Sequence, residues 1–359
     1  MKTMSYKLKR AKNLIWNNTP FKKLTSIANF MVTAKCTYLC QTCNIGQKYL
    51  SNHKAASDLT TDEIIHFIKQ NKSILQNVDW IQLTGGEPFM RDDMDKIING
   101  FLSHIANLRI WITTNAFKPD KVIDTLSKID KTFCRNIGIG ISLHGYKKAH
   151  DHFCGKKNSF SKAMKLVALL KEKQKHGYAF NIGIGFTLTN ENADDLLRVQ
   201  RIAKDEGLSF SFRVPNLSNN YYSNDNFNLS SDTILNKVNE FLKYTENDSR
   251  NVMDRINRTY YLGIPSFIQR PKKRILPCNA GRTSLFIAND GSVFPCLFVD
   301  TKLGNIKYNT LESILGDHKN VALSKKIRKG HCPNCWVECE TYRNIYENLF
   351  NTTLLNLKP

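Results

Sequence analysis

The chain has 359 residues, 41% of them hydrophobic, and 52 Lys and Arg against 31 Asp and Glu, a formal charge of +21. That length predicts one domain of barrel size with a smaller appendage, and the lack of any apolar run of about eighteen residues excludes a transmembrane helix. The basic excess is spread, with local runs at 7–12, 270–274 and 325–329 that lack the aromatic interleaving of a strand-stacking platform, which argues against nucleic acid as the partner.

Residues 1–25 form a basic N-terminal segment with no apolar stretch and no small-residue cleavage site, so no secretory signal is read and a cytoplasmic location is expected. Apolar runs rich in β-branched residues follow at 27–33, 78–83, 108–113, 137–143, 180–188 and 208–214, each read as a strand. Helical patterns lie between them. The clearest is 60–76, where Thr60 and Glu63 make a capping box and Ile64, Phe67, Ile68 and Leu75 form one apolar face. Alternating strands and helices predict an α/β fold, a partial (β/α)6 TIM-like barrel over 26–250, with its chemistry where the strands end. A helical stretch near 230–247 closes that region, and the Pro-punctuated, basic 251–277 reads as a linker. Residues 278–345 read as a small cysteine-rich α+β module with a hairpin at Asp290-Gly291, and 346–359 as a C-terminal tail.

Eight of the ten cysteines fall in two groups, 36–43 and 278–339, which argues for metal rather than disulfides. In "AKCTYLCQTCNIG", Cys36, Cys40 and Cys43 directly follow the first strand. Three thiolates can hold three irons of a cubane cluster and leave the fourth iron open for a ligand. A zinc site needs a fourth protein ligand, and neither His53 nor His66 stands at a natural spacing.

This Cys-x3-Cys-x2-Cys loop, in a chain of six βα units, resembles the radical S-adenosylmethionine (SAM) superfamily. The resemblance implies a 4Fe–4S cluster that binds SAM at its open iron and cleaves it to a 5′-deoxyadenosyl radical, with electrons from a flavodoxin or ferredoxin. "LTGGEPFM" at 83–90 matches the family's Gly-Gly-Glu-Pro motif, which implies that Gly85, Gly86 and Glu87 meet the SAM amino group. "ITTNA" at 112–116 matches Thr-Asn-Gly with Ala116 in place of Gly, and brings Asn115 to the site. "GISLHG" at 140–145 offers Ser142 to the ribose or methionine part, with His144 where Asp is usual. "LTNEN" at 188–192 offers Asn190 for adenosyl contacts, and "FRVPN" at 212–216 puts Arg213 near the mouth.

The C-terminal cysteines resemble the same superfamily's auxiliary-cluster extension, SPASM in its long form and twitch in its short one. One auxiliary 4Fe–4S cluster is implied, held by Cys278, Cys296, Cys332 and Cys335, with Cys339 as an alternative ligand. Of the two remaining cysteines, Cys134 reads as a core residue. Cys154 reads as buried filler, with a hydrogen-atom donor as the sharper alternative. His144, His150 and His152 read as loop residues with ordinary hydrogen bonds. About twenty-five residues precede the first strand, too few for a leader-binding domain. The expected substrate is therefore a small polar metabolite, such as a sugar or aminocyclitol, undergoing oxidation or epimerisation. Peptide maturation is the alternative, and a basic metal-cluster nucleic-acid-binding or regulatory protein without turnover the rival of another class.

Overall fold

The β-branched runs become six parallel strands whose ends all point to one mouth: β1 (Ile27–Thr33), β2 (Trp80–Gly85), β3 (Arg109–Thr114), β4 (Ile137–Ser142), β5 (Asn181–Thr187) and β6 (Ser209–Arg213). The computed structural model describes residues 25–51, 57–219, 221–224, 232–245 and 252–348, with Leu8, Ala11 and Lys12. Most of the basic N-terminal segment and residues 349–359 of the tail lie outside the described residues.

Each strand pairs with the next in sequence, and β1 and β6 stand apart in the strand order, so the barrel is partial as expected. Helices α1 (Ile45–Ser51), α2 (Thr61–Gln70), α3 (Lys72–Leu75), α4 (Met94–His104), α5 (Pro119–Ser127), α6 (Lys148–Phe153), α7 (Ser159–Lys175) and α8 (Leu196–Asp205) connect them. The Thr60–Glu63 capping box is present, and Ile64, Phe67 and Ile68 are buried. The helix expected over 60–76 is interrupted at Asn71, whose side-chain amide donates to Phe67 O while its oxygen accepts from Leu311 N at 2.6 Å. The glycines of "IGIGIS" leave space for an aromatic plate. A Cβ on Gly138 would lie 2.1 Å from the Trp111 ring, which stacks on Trp80.

The sheet does not end at β1. β7 (Ser284–Ile287) pairs parallel with β1, and β8 (Ser292–Phe294) and β9 (Gly304–Asn305) follow antiparallel, giving the order β6-β5-β4-β3-β2-β1-β7-β8-β9. The expected hairpin is there, with Gly291 at φ +86°. Helices α9 (Asp232–Tyr244), α10 (Val252–Gln269), α11 (Leu311–Gly316), α12 (His318–Arg328) and α13 (Glu338–Glu347) complete the described structure.

One expectation is corrected. Residues 251–277 are expected to be a linker, yet 252–269 form α10, a packed helix with Pro265 inside it. An interior proline costs a helix about 3 kcal/mol. Burial of Ile256, Tyr260, Tyr261, Ile264, Phe267 and Ile268 along one helical stripe offsets that cost. Helical periodicity outweighs proline and charge punctuation. The helix is also clamped from the C-terminal side, where Trp336 Nε1 donates to Tyr260 O at 2.7 Å.

Candidate functional site

The three-cysteine loop is held from three directions, by segments that follow β2, β4 and β6. After β2, Gly86 N donates to Thr33 O at 2.9 Å and Glu87 N to Lys35 O at 2.8 Å. After β4, Cys154 O and Phe153 O accept from Leu39 N and Gln41 N, each at 3.0 Å. After β6, Asn44 N donates to Tyr222 O at 2.8 Å, and Asn224 donates its side-chain amide to Thr42 O at 3.1 Å. Asp58 adds a fourth tie, accepting from Thr33 Oγ1, Ala34 N and Asn289 Nδ2.

Two glycines make this packing possible. A Cβ on Gly86 would fall 2.2 Å from Lys35 O and 2.8 Å from Cys36 Cβ, and one on Gly46 only 1.8 Å from Tyr38 O. Gly86 was legible as a motif glycine; Gly46, at the start of α1, was missed. Its signal is a residue without a side chain three places after the last cysteine of the loop.

Cys36, Cys40 and Cys43 share an apolar shell with Tyr38, Ile45, Phe153 and Cys154. Burial pushes the Cys36 and Cys43 thiols up to about 12, and a hydrogen bond with Cys154 raises Cys40 further above its ordinary range. Such thiols ligate only by releasing protons, which a strongly bound cationic centre makes favourable. Asn115 Nδ2 lies 3.7 Å from Cys36 Sγ, so the third strand's end reaches this loop too.

Glu87 is fully buried between the loop and β3. Its carboxylate accepts from Phe89 N at 3.1 Å, Thr114 Oγ1 at 2.8 Å and Asn115 N at 2.7 Å. Even with three donors, burial pushes it up to about 7. A cation arriving beside it would restore the charged form. Ala116 sits at φ +56°, the left-handed conformation that explains why glycine is usual there.

The remaining expected residues are distributed unequally. Ser142 ends β4 at the mouth. Asn190 is exposed, and the buried asparagine of that turn is Asn192, which donates to His144 O and Thr187 O at 2.8 Å each. His144 and His150 have ordinary hydrogen bonds, with Nδ1 accepting from Thr187 N and His144 N, but His150 and His152 lie on α6 and not in a loop. Cys154 is buried behind the loop, 3.5 Å from His150 Nε2. Arg213 reaches the mouth, where its Nε lies 3.0 Å from Glu338 of α13. With Thr42, Thr187, Val214, Pro215, Asn216, Tyr222 and Val337 it lines a cavity of about 270 Å3.

A second cavity, of about 480 Å3, is lined by Cys278, Cys296, Cys332 and Cys335 together with Arg274, Trp336 and Glu340. Cys339 is not among its lining residues, although it neighbours Cys335 as well as Arg213 and Tyr222. Four thiols around one void fit a fully ligated 4Fe–4S cube, and three in an apolar loop fit a cube with one open iron. Among the described residues no three of His, Cys, Asp or Glu converge to hold a single metal ion.

Comparison with known proteins agrees with this division. The radical SAM superfamily matches residues 30–200, and an iron–sulfur cluster-binding domain, SPASM, matches 278–340. The GTP 3′,8-cyclase of Sulfurimonas denitrificans is 23% identical over 299 residues, covering 80% of this chain and 85% of that one. SuiB of Streptococcus suis bound to SAM has the same fold, with a TM-score of 0.59 at 17% identity, over 84% of this chain and 68% of that chain. The enzyme anSMEcpe with bound AdoMet gives a TM-score of 0.57 at 18% identity, over 93% and 98% of the two chains. The loop of three thiols and the cavity of four thus fall within two matched regions, and the chain belongs to the radical SAM superfamily, an enzyme using SAM and 4Fe–4S clusters with a SPASM domain at its C-terminal end.

Proposed function

We propose that the enzyme abstracts a hydrogen atom from a side chain of a peptide or protein and oxidises it. The observation that carries this reading is a small, solvent-open cleft between Thr42, Arg213 and Val337. The cleft is open to solvent, so a side chain presented from outside can enter it. Solved relatives support the reading: SuiB is known with its precursor peptide SuiA, and anSMEcpe, of nearly the same length as this chain, with a bound peptide. A small polar metabolite is the second reading, favoured by the polar rim of Thr42, Thr187, Asn216 and Arg213.

When bound, the loop cluster and SAM supply the 5′-deoxyadenosyl radical. The chain's own part is positioning. Cys36, Cys40 and Cys43 would hold the loop cluster, and the Gly86–Lys35 approach fixes their loop against the segment that carries Glu87. Glu87, fixed by Thr114 and Asn115, would take the SAM ammonium, and Ser142 and Asn190 would contact the rest of that ligand. Arg213, held by Glu338 and Tyr222 at the lining of the cleft, would supply its positive charge to the substrate. Cys278, Cys296, Cys332 and Cys335 would hold the auxiliary cluster, whose chemistry would be one-electron transfer. Cys154 lines neither cavity, which favours oxidation over epimerisation.

Extract from cells grown in D2O, split into macromolecular and small-metabolite fractions, tests the substrate class. Deuterium is expected in 5′-deoxyadenosine from the peptide and protein fraction; label arising only from the small metabolites would replace the first reading by the second.

Glu87→Gln removes the charge while keeping the shape. One charge-assisted hydrogen bond is worth roughly 1.5–3 kcal/mol, so SAM affinity should fall about ten- to a hundredfold by equilibrium dialysis. Unchanged affinity would show that Glu87 only braces β3.

A further inference from the structure

Two stretches of the chain carry no acidic residue at all, 255–289 and 318–337. The first holds the basic run 270–274, just after α10, and the second the run 325–329, at the end of α12. They are some fifty residues apart in sequence, yet the fold joins them. Asn334 donates its side-chain amide to Pro271 O at 2.6 Å and lies 3.4 Å from Lys273 O. Arg274 Nη2 donates to Cys332 Sγ, and Ile327, Arg274 and Asn334 all line the four-thiol cavity.

Around that cavity the charges stand out toward solvent. Arg270, Lys272, Lys273, Lys325, Lys326 and Lys329 are exposed, and none forms an ion pair among the described residues. The thiols are graded in depth beneath them. Cys278 and Cys296 are buried, whereas Cys332 and Cys335 are partly exposed. The shallow side of the cluster site is thus the side rimmed by unpaired cations. No aromatic residue lies within either run, so the surface has no platform for stacking bases.

We propose that this face docks an acidic one-electron carrier protein and is the port through which the auxiliary cluster exchanges electrons. Charge complementarity steers such encounters and raises their rate, and it is screened by salt. In one encounter the carrier loses the single electron that the cluster gains, or gains the one it loses; no proton or group is transferred. The inference rests on the reading of the four-thiol cavity as the auxiliary-cluster site.

The test uses the reconstituted holoenzyme and a flavodoxin as probe. Two charge-reversal variants, K325E/K326E/K329E and R270E/K272E/K273E, are compared with wild type and with K69E/K96E/K128E, which changes the net charge equally on helices α2, α4 and near α5. Calorimetric affinity and the stopped-flow rate of cluster reduction by flavodoxin hydroquinone should each fall about tenfold or more in the first two variants. The wild-type salt dependence should flatten in those two variants and persist in the third. Iron content should be the same in all four proteins. Equal loss in K69E/K96E/K128E, or no loss in the other two, would overturn the docking surface. So would a face that binds single-stranded RNA but not flavodoxin. Wild-type protein holding only the three-thiol cluster would instead remove the reading on which the proposal rests.

Discussion

Enzyme in which Cys36, Cys40 and Cys43 are all replaced by alanine is expected to form no detectable 5′-deoxyadenosine from SAM under reducing conditions. Each iron of a cube that faces protein needs one thiolate, and these three thiols share one loop and one apolar shell. Among the described residues Cys154 is no substitute: it lies behind Cys40, and its hydrogen bonds run to that thiol and to His150. The variant should retain about four of about eight irons, since the second set of thiols surrounds a separate cavity. Cys332→Ala should lose that second half, whereas Cys339→Ala should keep it, because Cys339 does not line the cavity. Residual cleavage in the triple variant, or iron lost from Cys339→Ala as readily as from Cys332→Ala, would mean that the ligand sets are wrongly drawn.

Gly86→Ala should be nearly as damaging without removing any ligand. The added methyl would sit 2.2 Å from Lys35 O, 2.6 Å from Lys35 C and 2.8 Å from Cys36 Cβ. Those neighbours are backbone and the first atom of a side chain, so no rotamer change relieves the clash. The strand-end segments must part by the order of an ångström, and the Gly86–Thr33 and Glu87–Lys35 hydrogen bonds go with them. Misplacement on that scale costs about a hundredfold in rate. We expect SAM cleavage to fall by about that factor, with melting temperature and auxiliary iron little changed. A variant that cleaves SAM at the wild-type rate would show that the loop is not set by this contact.

Much of this site could be read before any coordinates. Strands whose hydrophobic runs are β-branched, such as 27–33 and 137–142, are stated by local composition, and the residues just past their ends follow. Cys36, Gly86, Glu87 and Asn115 were legible because each sits one to four residues beyond such a strand. The clamps were not. Asn44 to Tyr222, Thr42 to Asn224 and Arg213 to Glu338 each join segments more than a hundred residues apart, and nothing local marks a residue as half of such a pair. Asn190 and Asn192 show the same limit from another side, since the two are equivalent as letters and only the turn decides which one is buried. The α10 helix was hidden by a proline whose cost is met by burial that sequence does not display.

The pairing of β7 with β1 bears on how the polypeptide comes to be assembled. The strand that launches the cysteine loop waits for its outer neighbour until residues 284–287 have been made, some 250 residues later. Until then β1 is a bare edge, with free amides and carbonyls open to any passing extended chain. Contacts of such long separation close slowly, because the loop entropy is lost before the pairing is gained. The N-terminal barrel is therefore not a folding unit that the C-terminal cysteines merely decorate. A nascent chain stalled before Ser284 carries its most reactive loop on an unfinished sheet, in need of a chaperone.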